Sequence, residues 1–131
     1  ADGVHVGQDD TPVAQAREQV GEDAIVGLST HSTEQAERGA RSGADYIAVG
    51  PVHATPTKAG RPAIGLEPVR YAAAHVDRPW FAIGGIDADT VDAVVRAGAQ
   101  RIVVVRALAD AEDPEAAART LRAAVAGSRV G

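Results

Sequence analysis

Short runs of β-branched and aromatic residues recur along this chain at nearly even spacing, and few folds accommodate that rhythm. The runs begin at residues 4, 25, 46, 80 and 102, so three of the four intervals are 21 or 22 residues. Between them lie alanine-rich stretches with apolar residues at helical spacing, such as Val91, Val94 and Val95. Apolar strands joined by helical crossovers of this length predict a parallel sheet in an α/β fold.

Helix starts are marked where this alternation requires them. Ser32 with Gln35 three residues later resembles a capping box, and Asp87 precedes a helical pattern. Asp113 followed by Pro114 predicts an N-cap with proline at the first helical position. Each signal follows a predicted strand, as a repeated βα unit requires.

Two segments, 43–49 and 98–104, resemble each other and form an internal repeat. Each passes from a helix end through Gly-Ala into an apolar strand. Glycine closes a helix by taking the left-handed conformation, so both copies are predicted αβ turns. The first six residues look like the tail of a third copy.

Two architectures fit five βα units, a doubly wound open sheet and a barrel of eight units. The length of 131 residues favours the open sheet, which would be complete at that size. The opening on a bare strand and the loop motifs below favour a truncated barrel. In that interpretation residues 1–131 are the C-terminal part of a single TIM (βα)8 barrel domain, about strands 4 to 8, without the first three units.

Composition excludes several classes of partner. A net charge of −5 argues against a nucleic acid held on a basic surface. No apolar run approaches the roughly 18 to 20 residues of a membrane-spanning helix, and there is no cysteine for disulfide or thiolate chemistry. We therefore expect a cytoplasmic protein.

The loops that leave the strands are where a ligand site is expected in either architecture. Gly84-Gly85 ends one strand and offers backbone N–H groups to an anion, although a tight turn would explain the pair equally well. Arg106 follows the last strand and could bind a phosphate, or could simply pair with Asp110.

The first loop carries Asp9 and Asp10, which could supply carboxylate oxygen to Mg²⁺. Acidic residues before a helix are more often caps, so this interpretation stays open. The histidines show no metal-type spacing, and we expect structural or exposed roles for most of them: His5, His31, His53 and His75.

The loop over residues 50–65 is longer than most βα connections, and long ordered loops are commonly functional. Pro56 stiffens the backbone around Thr55, Thr57 and Lys58, so two hydroxyls and an ammonium group are presented together. That set suits a phosphate-rich ligand, although a solvated surface loop is the alternative.

Taken together, these loops resemble the thiamine phosphate synthase family. The family's order and approximate spacing are matched by five segments: Gly7-Gln-Asp-Asp10, Leu28-Ser-Thr-His31, Gly50-Pro-Val with Thr55-Pro-Thr-Lys58, Ile83-Gly-Gly-Ile86, and the last Gly-Ala-strand segment. The resemblance implies a transferase with a βα barrel fold. Using Mg²⁺, it joins hydroxymethylpyrimidine pyrophosphate to thiazole phosphate and releases pyrophosphate in thiamine biosynthesis.

The resemblance also implies roles for individual residues. Ser29 is similar to the serine beside the reacting pyrimidine and pyrophosphate, and Lys58 to the lysine that holds the pyrophosphate. Asp10 resembles a Mg²⁺ ligand. The remaining positions look like contacts to thiazole phosphate: Thr55, Thr57, Gly85, Val105 and Arg106.

Two departures from the family pattern bear on activity. The family usually has serine where this chain has Arg106, which implies a remodelled phosphate site. Its Gln-x-Arg-x-Lys and Asn-Asp motifs, which bind pyrimidine pyrophosphate and metal, are absent from this sequence. We therefore expect the chain alone to be inactive or nearly so, and to associate with itself or with a missing N-terminal half.

Two alternative functions remain at this point. A thiazole tautomerase, an isomerase, has a Ser-x-His segment resembling Ser29-Thr-His31 and needs no grip on pyrophosphate. A non-catalytic phosphate-binding half-barrel would bind phosphate without turnover. Asp10 and Thr55-Pro-Thr-Lys58 favour the synthase.

Overall fold

A computed structural model describes residues 2–53 and 63–130, with side chains up to residue 126. In this part of the chain a five-stranded sheet has the order β1-β2-β3-β4-β5, and every neighbouring pair is parallel. The strands are β1 (Gly3–Val6), β2 (Ile25–Thr30), β3 (Tyr46–Val49), β4 (Trp80–Ile83) and β5 (Ile102–Val103). The helices are α1 (Val13–Val20), α2 (Thr33–Ala40), α3 (Glu67–His75), α4 (Val91–Arg96), α5 (Arg106–Ala109) and α6 (Pro114–Val130).

The predicted α/β class and parallel sheet are confirmed, while two strand ends differ from the sequence expectation. β2 continues to Thr30, whose fully buried hydroxyl donates to the Ala48 carbonyl oxygen at 2.9 Å and so remains satisfied. β5 ends at Val103 rather than Val105, because Val105 has left the strand conformation and accepts the first hydrogen bonds of α5.

Two of the three predicted helix starts, at Ser32 and Asp113, are confirmed by side-chain caps, whereas α4 begins at Val91 without a side-chain cap. The Ser32 hydroxyl accepts the Gln35 N–H at 3.1 Å, but the Gln35 amide oxygen accepts from the His31 N–H at 2.7 Å, one residue before the usual capping-box donor. Asp113 accepts the Ala116 N–H at 3.1 Å, directly ahead of the proline that opens α6.

The internal repeat also corresponds to one structural unit. Gly43 (φ 88°) and Gly98 (φ 116°) both adopt positive φ between a helix and the next strand. A side chain is strained in that conformation, which explains why glycine stands at the same place in both copies.

One face of the sheet is packed under the helices. Alternate strand residues share a single apolar core with the inward residues of α1 to α4 and α6, and Val26, Ile47 and Val49 in this core are completely buried. Burial of one such side chain stabilises the fold by about 1.5 to 3 kcal/mol. The strand residues in this core are Val6, Val26, Leu28, Ile47, Val49, Trp80 and Ala82.

The opposite face of the sheet has no covering layer within the described residues. Ile25 and Val103 are 55% and 37% exposed, and His5 is also exposed. A doubly wound sheet reverses its strand order and carries helices on both faces. The described sheet has sequential order and one-sided packing, so it differs from that alternative.

None of the described helices combines the length and apolar character that crossing a membrane requires.

The amino edge of the sheet is held by one ion pair. Arg17 on α1 contacts the Asp45 carboxylate at 3.0 Å and also donates to the carbonyl oxygens of Ala24 (2.6 Å) and Gly43 (3.0 Å). The same Asp45 oxygen accepts the Val26 N–H at 2.8 Å. That backbone hydrogen bond, followed by the Arg17 contact, lowers the pKa of Asp45 below its usual value.

We expect Asp45→Ala to destabilise the protein by about 1 to 2 kcal/mol, because the partly buried Val26 N–H loses its acceptor. A lowered folded-state pKa means that the stabilisation is present above the unfolded value of about 3.9 and is lost as the pH falls through the lower folded value. Urea unfolding at pH 7 and at decreasing pH measures both effects.

The matched control is Asp23→Ala. Asp23 is exposed and has no hydrogen bond or ion pair with any residue that the structure describes. Equal stability losses in the two variants would contradict the role assigned to Asp45.

Candidate active site

The segments proposed from sequence to bind a ligand lie along one edge of the sheet. Because all strands are parallel, their carboxyl ends meet there, and the helices that follow begin at the same edge. The described segments at this edge are 7–10, 29–32, 50–53, 84–87 and 105–106. Thr55, Thr57 and Lys58 lie outside the described residues.

Ser29 is held from two directions. It lies within β2, opposite Ala48 in the register, rather than in the loop where the sequence placed it. Its hydroxyl is 2.7 Å from Nε2 of His5, and its carbonyl oxygen accepts from the side-chain amide of Gln8 at 2.8 Å. The side chain is half-buried on the face that the helices leave uncovered.

Tyr46 completes this polar group from the third strand. Its hydroxyl is 2.9 Å from Nδ1 of His5, and its ring lies edge-on to Phe81 with centroids 5.6 Å apart. A Cβ atom at Gly27 would lie 2.1 Å from the Tyr46 ring, so the ring occupies the space that a side chain there would need. Tyr46 was not among the site residues predicted from sequence, and His5 was expected, with most of the histidines, to be structural or exposed. The available signal was a polar side chain within or at the start of an apolar strand, His5 in β1 and Tyr46 in β3.

The acidic loop after β1 is closed on itself. The Asp10 carboxylate accepts the Gly7 N–H at 2.7 Å, and the Asp10 N–H donates back to the Gly7 carbonyl oxygen at 3.2 Å. Both Asp9 and Asp10 are exposed. Within the described ranges, no three His, Cys, Asp or Glu side chains group closely enough to hold a metal ion.

His31 connects the loops after β2 and β3. Its Nδ1 lies 2.7 Å from the Gly50 carbonyl oxygen. Because a carbonyl oxygen only accepts, this nitrogen carries the proton. The imidazole is thereby engaged in joining two loops of the site.

The two glycines after β4 allow close approach of the neighbouring loop. Gly84 and Gly85 have φ values of 102° and 66°, and a Cβ at Gly84 would lie 2.4 Å from Cα of Pro51. The His53 N–H donates to the Gly84 carbonyl oxygen at 3.1 Å. Gly84 therefore packs against residues 51–53, and Gly85 follows it in the same positive-φ turn.

Arg106 is engaged with an acidic neighbour. Its Nε and Nη2 atoms lie 2.9 and 2.8 Å from one oxygen of Asp110, one turn along α5. Val105 beside it is 58% exposed. This is the pairing that the sequence offered as the alternative to phosphate binding. Both side chains are at least half exposed, so the pair itself contributes little stability.

Fold and site together define an α/β protein whose polar segments converge on one sheet edge. The family model for thiamine monophosphate synthase matches residues 1–108. This chain belongs to that family.

Named relatives match this chain along nearly its whole length. It is 57% identical over 128 residues to a thiamine-phosphate synthase of Acidothermus cellulolyticus, covering 96% of this chain and 60% of the relative. A thiamine-phosphate synthase of Thermus thermophilus is 57% identical over 123 residues, covering 93% and 59%. The structure of thiamine phosphate pyrophosphorylase from Pyrococcus furiosus superposes with a TM-score of 0.85 at 37% identity, covering 98% and 61%.

The chain therefore spans about 60% of the length of the relatives it matches.

We expect Gly84→Ala to destabilise the protein more than Gly43→Ala. Both positions have positive φ, which costs a residue with a side chain about 1 to 2 kcal/mol. Only Gly84 adds a collision with the Pro51 backbone, whereas nothing lies within 4 Å of a Cβ at Gly43. Urea midpoints of the two variants measure the difference, and equal losses would show that Pro51 does not press on Gly84.

Proposed function

We propose that this chain is part of a thiamine phosphate synthase, a transferase of thiamine biosynthesis that joins hydroxymethylpyrimidine pyrophosphate to thiazole phosphate. The observation that carries the proposal is the 57% identity to a named thiamine-phosphate synthase over 96% of the chain. The side-chain network around Ser29, at the sheet edge where βα proteins bind ligands, supports it.

We propose further that the five βα units are units four to eight of a TIM barrel, forming the C-terminal part of one domain. Sequential strand order, helices on a single face and exposed apolar residues on the other are what such a segment would have. The relatives are longer than this chain, and their additional length would accommodate three further units. Without them β1 and β5 remain open edges, so the chain alone would associate with itself or with the missing part and have little or no activity.

We propose substrate contacts that follow the pattern of the family. Ser29 and Lys58 would contact the pyrimidine pyrophosphate, while Thr55 and Thr57 would contact thiazole phosphate. The thiazole phosphate site would be completed by Gly85, Val105 and Arg106. Arg106 would reach that phosphate by exchanging Asp110 for the ligand, a step its half-exposed position permits.

The Asp10 carboxylate is suited to bind Mg²⁺. Its carboxylate is exposed and fixed by the Gly7 N–H. In phosphate-handling sites Mg²⁺ commonly takes only one or two protein carboxylates, with waters and substrate phosphates as its other ligands. When bound, Mg²⁺ would supply positive charge to the pyrophosphate.

The chemistry requires stabilisation of a departing anion. The methylene carbon of the pyrimidine exchanges its bond to a pyrophosphate oxygen for a bond to the thiazole nitrogen. As the carbon–oxygen bond breaks, negative charge grows on the pyrophosphate, so the Lys58 ammonium group would stabilise the transition state more than the ground state. The Ser29 hydroxyl would donate to the same group. No nucleophile from the protein is needed.

Both proposed substrates are small phosphorylated molecules. A cytoplasmic location and small-molecule partners, without nucleic acid or membrane, complete the proposal.

We expect Lys58→Ala in the full-length enzyme to lower kcat by about 100-fold or more, as loss of one preorganised contact to developing charge does. Pyrophosphate release with Mg²⁺ and both substrates measures it. Arg70→Ala is the control, because Arg70 is exposed on α3 and pairs only weakly with Glu67 at 3.5 Å.

Near-normal turnover in Lys58→Ala would contradict the role of the lysine. Isomerisation of the thiazole without pyrophosphate release, or phosphate binding without turnover, would contradict the synthase assignment and support one of the two alternatives.

A further inference from the structure

Three side chains from three neighbouring strands form one hydrogen-bonded chain. The Ser29 hydroxyl lies 2.7 Å from Nε2 of His5, and Nδ1 of His5 lies 2.9 Å from the Tyr46 hydroxyl. In the register, His5 is opposite Gly27 and Gly27 is opposite Tyr46. His5 and Tyr46 therefore meet across the strand between them, and they do so because Gly27 has no side chain.

The contacts of His5 with Ser29 and Tyr46 allow three arrangements of the protons that these side chains share. With neutral His5, either Ser29 donates to Nε2 and Nδ1–H donates to Tyr46, or Tyr46 donates to Nδ1 and Nε2–H donates to Ser29. With cationic His5, both ring nitrogens donate. In the second and third arrangements the Ser29 oxygen accepts from His5, and its own proton is directed elsewhere.

An anionic ligand selects between these arrangements. Phosphate oxygens only accept, so a ligand beside Ser29 favours the arrangements in which the serine proton is available to it. A hydroxyl whose oxygen already accepts a hydrogen bond is also polarised into a better donor.

We propose that His5, fixed by Tyr46 across Gly27, is a positioning residue that makes Ser29 a hydrogen-bond donor to the anionic leaving group of the substrate. This inference rests on the proposed function. His5 acts through Ser29 and does not itself exchange a proton with the substrate. Its contribution is that the serine hydroxyl is oriented before the carbon–oxygen bond breaks.

Two substitutions at His5 separate this role from a general structural one. In His5→Gln the amide nitrogen reaches the place of Nε2, so the donor to Ser29 is kept while the contact with Tyr46 is lost. In His5→Asn the amide nitrogen stands in place of Nδ1, so the Tyr46 contact is kept and the donor to Ser29 is lost. Both variants are neutral and polar.

In the full-length enzyme we expect His5→Gln to keep kcat within about threefold of wild type and His5→Asn to lower it by about tenfold or more, toward the value of Ser29→Ala. The KM for thiazole phosphate and the melting temperature stay near wild type in both. Equal kcat values for the two His5 variants would overturn the proposal.

A double-mutant cycle tests whether His5 acts through Ser29. In a Ser29→Ala background, His5→Asn is expected to change kcat by less than about twofold, whereas a full additional loss would overturn the proposal. If His5→Asn does not fold, Tyr46→Phe provides the second test, because it keeps the ring over Gly27 and against Phe81. It should lower kcat by about threefold in the Ser29 enzyme, as His5→Gln does through loss of the same contact, and have no effect in Ser29→Ala.

Failure of the proposed function has a different signature. A wild-type enzyme that releases no pyrophosphate from the two substrates overturns both proposals. An active wild type with equal His5 variants overturns only the positioning role.

Discussion

Alternate side chains of each strand are buried under one layer of helices, and the rest of the structure depends on this one-sided burial. Completely buried residues such as Val26, Ile47 and Val94 tie strands and helices into a single apolar core. Since each crossover helix returns to the same face, the strands are added in sequential order and all point the same way. The polar segments that follow them consequently collect at one edge.

The same packing leaves the other strand positions outside the apolar core, where polar side chains can form a site. His5, Ser29 and Tyr46 alternate with residues of the apolar core, so they project from the uncovered face of the sheet. The strands are fixed by the core on one side, and the polar group is carried on rigid backbone rather than on loops. That arrangement suits a site in which a hydroxyl must be oriented in advance.

Much of the fold could be read from the sequence because local rules govern it. Strand runs, the Ser32 and Asp113 caps and the glycines of the repeat each depend on neighbours a few residues away. The end of β5 was predicted wrongly because the apolar run continues through Val105 while the backbone has already turned into α5.

The site was less accessible to sequence analysis, for a physical reason. Ser29 and Asp10 lie in recognisable segments, but the side chains that contact Ser29 directly or through His5 come from β1 and β3. Which residues of parallel strands lie opposite each other cannot be predicted from any single segment. Likewise, the sequence showed Arg106 and Asp110 one helical turn apart without deciding between an ion pair and a ligand contact.

Because Gly27 has no side chain, the residue type at position 46 depends on the residue type at position 27. A tyrosine ring at 46 can reach β1 only while position 27 contributes no side-chain volume. Among relatives, a side chain at 27 should therefore be accompanied by a shorter residue at 46, and with it by the loss of the histidine's partner. Two positions nineteen residues apart would then evolve as one unit, and their pairing would mark which family members share this arrangement of the serine.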